Sequence, residues 1–194
     1  MLKSLTLMAL LLTILTTGSA QDDLPYYEIP AYPDSYTAEN VAARMIDGLG
    51  FRYYWATEGL RAEDLAYKPS EEGRTCGETL DHLYGLTNVI VNAARQKPNG
   101  SRDTPEFTFD EKRAATLANI KEASDLLKSG DVKLEDCLVI FQRDSGNSEF
   151  PFWNNINGPI ADALWHCGQV VLLRRASGNP WNSKASVFSG KVRD

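Results

Sequence analysis

Three strongly polar side chains, Asp162, His166 and Gln169, interrupt the otherwise apolar stretch Ile160–Leu173. On a helix advancing about 100° per residue, His166 falls about 40° from Asp162 and Gln169 about 20° to its other side, so all three share an arc of about 60°. The chain has two histidines in all. The other, His82, shares a helical face with Leu86, Val89 and Ala93, with Glu78 one turn earlier. If the two faces meet inside a bundle, two imidazoles and a carboxylate converge. They would form a three-ligand site for a divalent metal, with positions left for water or substrate. The same spacing allows a metal-free arrangement in which His166 bonds Asp162 across a turn and His82 is satisfied elsewhere. Glu78 and Gln169 either orient the ligands through hydrogen bonds or are ordinary helix residues. No nucleophile triad, phosphate loop or dinucleotide fingerprint accompanies these residues.

Four helical segments must position the group. The first is expected over residues 37–58, with Val41, Met45, Leu49 and Trp55 near helical spacing and Gly48 and Gly50 weakening it. The second opens on the capping box Thr75-Cys76-Gly77-Glu78 and runs to about Gln96, stopped by Pro98 and Gly100. The third opens on Thr108-Phe109-Asp110-Glu111 and ends at Ser129-Gly130. The last is expected to begin near Asn157-Gly158-Pro159, with Pro159 at its first position, and to end at Ser177-Gly178. Apolar almost all round, it should lie in the middle of the fold. Between the third and last helices, Leu138–Phe141 and the turn Asp144–Asn147 predict a short hairpin whose second strand Pro151 makes an edge. The expected fold is therefore all-α, a four-helix bundle with a hairpin-like insert before the last helix. Trp55, Trp153 and Trp165 either wall a pocket or fill the core. Arg174 and Arg175 either meet an anionic substrate or complement the negative end of the last helix.

The 194 residues suggest one domain with an adequate core, and 24% charged residues exclude global disorder. A net charge of −6 argues against a nucleic-acid partner, whose phosphates need clustered Lys and Arg. Residues 1–20 read as a signal peptide: Lys3, the apolar run Leu5–Leu15, and the small residues Gly18-Ser19-Ala20. The mature protein is thus expected to be periplasmic or secreted, without a stable membrane span after cleavage. An extended arm (residues 21–36) then precedes the bundle (37–178), and a C-terminal tail follows (179–194). Export places Cys76, Cys137 and Cys167 where disulfides can form. An odd number leaves at least one thiol free or paired between chains, so a homodimer stays open.

Two short stretches carry a family likeness. Thr75–Leu83, a capping box followed by His82, resembles the second-helix motif of the DinB-like superfamily of four-helix metalloproteins. Asp162-Ala163-Leu164-Trp165-His166-Cys167-Gly168-Gln169 resembles that superfamily's last-helix motif, in which two histidines four residues apart precede x-Gly-Gln. Carried over by position, the resemblance implies His82, Asp162 and His166 as metal ligands, with Asp162 standing where a histidine is more usual. It implies a divalent cofactor, zinc or nickel first, manganese or iron next. It also implies a hydrolase or transferase acting on a small molecule, since members transfer low-molecular-weight thiols or isomerise small acids. Export weakens the thiol-transfer version. The alternatives are a non-catalytic metal-binding or stress-related bundle, and a metal-free module that holds a small ligand.

Overall fold

Thr75 and Thr108 start two long helices by the same device. The Thr75 N–H donates to Glu78 Oε2 at 2.7 Å and the Glu78 N–H returns to Thr75 Oγ1 at 3.0 Å. The Thr108 N–H donates to Glu111 at 2.8 Å, and the Glu111 N–H to Thr108 Oγ1 at 3.3 Å. Each box satisfies two backbone donors that a helix start leaves open, contributing about 1 kcal/mol. A computed structural model describes residues 24–100 and 106–194. Its helices are α1 (Ala38–Thr57), α2 (Ala62–Ala66), α3 (Cys76–Ala94), α4 (Phe109–Lys128), α5 (Phe152–Asn155) and α6 (Ala161–Ala176). The export signal expected over residues 1–20 lies outside the described residues, and among those described no helix is long and apolar enough to cross a membrane.

The protein is mostly helical. Helix α1 packs against α4 and α6, and α3 packs against the same two, so the long helices close into a bundle. Ile46, Leu49, Phe51, Leu80, Leu83, Ile90, Leu117, Ile120 and Ile160 fill its centre. Strands β1 (Val139–Phe141) and β2 (Ser148–Phe150) form the expected antiparallel hairpin, Val139 opposite Phe150. Val139 and Phe141 pack on Val89 and Ala93 of α3, which anchors the hairpin to the bundle. Pro151 ends the second strand and caps α5. A second small pair, β3 (Ala185–Ser186) with β4 (Lys191–Val192), folds the C-terminal tail. There the Ile29 N–H donates to Gly190 O at 2.8 Å, tying tail to arm.

Several expectations need correction. The last helical segment begins earlier than Pro159, at Phe152, and residues 156–160 form a π turn between α5 and α6. Pro159 has no N–H to donate to Asn155, so the turn widens and the Ala161 N–H reaches Ile156 O instead. Helix α6 is not buried all round. Ala163, Cys167, Val170 and Leu173 face the core, while Trp165 is 72% and Leu172 65% exposed. Trp153 is likewise exposed, and of the three tryptophans considered for a pocket Trp55 alone is core. On α1 the buried stripe runs through Ala42, Ala43, Ile46 and Leu49, leaving Val41 and Met45 outside. Cys76, Cys137 and Cys167 are all buried and unbridged.

Arg174 is buried and reaches across the bundle rather than serving only its own helix end. Its guanidinium donates to the carbonyls of Trp55 and Ala56, at the C-terminal end of α1, and to Asn179 O. Short α2, which the periodicity did not reveal, places Asp64 beside this knot. The buried Asp64 carboxylate accepts from Arg61, Ser177 and Asn179. These donors, Arg61 foremost, hold its carboxyl far below the usual carboxylate range.

Candidate metal centre

Helix α3 supplies His82, and α6, one of its two principal neighbours, supplies Asp162 and His166 one turn apart. The i, i+4 spacing sets the last two on one face, and the packing of α3 on α6 brings the first against them. His82 Nε2 lies 3.1 Å from Asp162 Oδ2, and His166 Nε2 lies 3.3 Å from Asp162 Oδ1. The imidazoles stand edge to face, centroids 4.6 Å apart at 90°. One ligand atom from each of the three residues can be chosen so that all lie within 4.8 Å of one another. This group can therefore hold a metal ion: its donors are of the types transition metals prefer, and they are gathered on two helices.

Gln169, one turn past His166, completes the arrangement. Its Oε1 lies 2.7 Å from His166 Nδ1. With the proton on Nδ1 donated to that oxygen, His166 Nε2 presents a lone pair toward the Asp162 carboxylate. Two acceptors facing each other at 3.3 Å repel unless a cation stands between them. A doubly protonated imidazole satisfies the same geometry without a metal, donating to Gln169 and Asp162 at once. The side chains of His82 and Asp162 are 33% and 38% exposed, and that of His166 is 13% exposed. The group thus opens toward solvent.

Glu78 is not part of it. Its carboxylate is turned back to the start of α3, where Thr75 holds it by both its backbone N–H and its hydroxyl. That backbone N–H, with the hydroxyl, keeps the Glu78 carboxyl below its ordinary range. Of the two residues weighed as ligand-orienting groups, the structure brings Gln169 to the site and leaves Glu78 at the cap.

Beside His166 a cleft of about 410 Å³ opens between α6 and the segment joining α2 to α3. Gln169, Leu172 and Leu173 form its α6 side, and Tyr67, Pro69 and Arg74 face them. Sequence reasoning missed Tyr67 and Arg74. They lie in an irregular connection where neither periodicity nor a motif marks an inward residue, and only the adjoining capping box hinted that this end of α3 mattered. No family model, curated protein or solved structure matches the chain.

Proposed function

We propose that this chain is an exported, DinB-like four-helix-bundle metalloprotein in which His82, Asp162 and His166 hold a divalent ion, zinc or nickel first, for hydrolase or transferase chemistry on a small molecule. The observation that carries the reading is the gathering of three ligand atoms within 4.8 Å on two packed helices, with His82 and Asp162 partly open to solvent. A divalent ion there supplies Lewis acidity toward a coordinated oxygen or sulfur. Three protein ligands with an accessible face are the pattern of a catalytic rather than a closed structural site. The engagement of Glu78 at the cap supports this, because it occupies the carboxylate one turn before His82 that could otherwise close the site as a fourth ligand. Gln169 keeps His166 Nε2 directed at the ion through its contact with Nδ1. The rival reading, an ion that only braces α3 against α6, differs in stability: loss of a structural ion lowers it by several kcal/mol.

Metal content decides the matter. Tag-free mature protein, reconstituted with zinc, nickel or manganese and dialysed, is expected to retain about one equivalent by mass spectrometry, as three-ligand sites do. His82→Ala, Asp162→Ala and His166→Ala are each expected to lose it while keeping their helical circular dichroism. Retention in all three variants, or no uptake by the parent protein, would overturn the assignment. No uptake would leave Asp162 as the acceptor of two imidazole N–H groups. A large fall in melting temperature on stripping the ion would move the reading from catalysis to bracing.

A further inference from the structure

The cleft beside His166 is chemically one-sided. Among the residues that line it, Arg74 carries the only formal charge when His166 is neutral, and no carboxylate lines it, although acids outnumber bases by 26 to 20 in the whole chain. Arg74 is exposed and forms no ion pair or side-chain hydrogen bond among the described residues. Glu78 accepts from Thr75, the residue after Arg74, and lies near enough for Arg74 to help hold its carboxyl low, but the two form no ion pair. The other polar residues lining the cleft are Thr79, whose hydroxyl donates to Thr75 O, and Gln169 and Tyr67, each of which can offer a donor. The Gln169 amide nitrogen has no partner among the described residues once Oε1 faces His166, and the Tyr67 hydroxyl joins it on the lining. Leu172, Leu173 and Pro69 make the remaining wall apolar.

We infer that the cleft binds a small carboxylate with a short apolar body, its anionic end on Arg74 and Gln169 and its body along Leu172 and Leu173. This names the substrate class of the proposed metal site and rests on that reading only for what happens at His166; the cleft itself does not need the ion. A guanidinium pairs with a carboxylate through two parallel N–H bonds, which a neutral amide cannot match and an ammonium opposes. The volume lies at the lower end of the range for ligand sites, room for one such molecule. Buried apolar area would supply affinity, and the charge-assisted bonds would supply selection.

The test compares hexanoate, hexanamide and hexylammonium by NMR titration, following the Gln169 side-chain amide, on zinc-loaded and metal-free protein. Hexanoate is expected to bind at least about tenfold more tightly than the other two, the scale of one charge-assisted contact. Arg74→Gln should erase that preference in both forms, while Arg74→Lys keeps part of it and zinc content is unchanged in either variant. Arg74 is exposed and makes no side-chain hydrogen bond or ion pair among the described residues, so both variants should fold as the parent does. Equal binding of the three probes, an undiminished preference in Arg74→Gln, or no shift of the Gln169 amide at about 10 mM hexanoate, far weaker than ordinary substrate affinity, would overturn the inference. If zinc fails to bind at all, the metal reading falls. The Arg74-dependent preference in the metal-free protein then still decides this one.

Discussion

Gln169 sits 2.7 Å from His166 Nδ1, and that contact governs what the other nitrogen can do. Replacing it with leucine keeps the size but removes the acceptor, freeing the imidazole to change tautomer and rotate. Loss of such a ligand-orienting partner typically costs 10–100-fold in metal affinity. Gln169→Leu is therefore expected to weaken zinc binding by about that factor in a chelator competition. Gln169→Glu, which keeps an acceptor oxygen, should restore most of it. Equal affinity in parent and Gln169→Leu would show that the contact orients nothing. At this scale the site was largely legible. A chain with two histidines, one of them four residues from an aspartate inside an apolar run, leaves few ways to assemble three ligands. Glu78 illustrates the limit. Its place one turn before His82 fitted an orienting role as well as a cap, and only the rotamer, which follows from the free N–H groups at the helix start, separates them.

The glycines of α1 show how an element can defeat its own propensities. Gly48 and Gly50 both look like helix-weakening residues, yet their surroundings differ. A Cβ on Gly50 would come within 2.5 Å of the Tyr26 ring, which lies flat against the helix while its hydroxyl donates to the buried Asp47 at 2.9 Å. A Cβ on Gly48 would meet only the far end of the Arg52 side chain at 3.4 Å. Gly48→Ala is expected to raise stability by up to about 1 kcal/mol through helix propensity. Gly50→Ala should lower it by about 1–3 kcal/mol, because the arm must lift off the helix. Urea unfolding of the two variants checks both signs, and a stabilised Gly50→Ala would mean that the Tyr26 packing contributes little. The capping boxes and the hairpin were readable because each rests on contacts within a few residues. The start of the last helical segment was not. Pro159 suits a first helical position and a π turn equally well, and the choice depends on Phe152 and Ile160 reaching the core on either side of it. The exposed side of α6 was hidden for a similar reason: periodicity ranks faces but does not say how many neighbours exist to cover them.

For the molecule as a whole, the arm, the tail and the Arg174–Asp64 knot close the bundle around thiols that no longer behave as thiols in water. Burial pushes Cys76 up to about 11, Cys137 to about 11 and Cys167 to about 12, from an ordinary value near 9.0. Burial also raises the hydroxyls of Tyr26 and Tyr53. A raised value means that the folded state keeps a proton the unfolded state releases. The associated stability is complete below the ordinary thiol value near 9.0 and is lost as pH climbs toward the folded ones. Between pH 9 and 11 each thiol should subtract about 1 kcal/mol per pH unit, so the urea midpoint is expected to be flat from pH 7 to 8 and to fall steeply above 9. Cys167→Ala should flatten that fall by about a third of the thiol contribution, at the separate and pH-independent cost of the small cavity it leaves. Neutral, enclosed thiols are also poor nucleophiles, which fits three unbridged cysteines in a protein proposed to be exported. Ellman's reagent should therefore find almost no reactive thiol in the native protein near pH 8 and all three in denaturant. Rapid native labelling, or a midpoint that does not move between pH 8 and 10, would show that the bundle opens far more readily than its closed core implies.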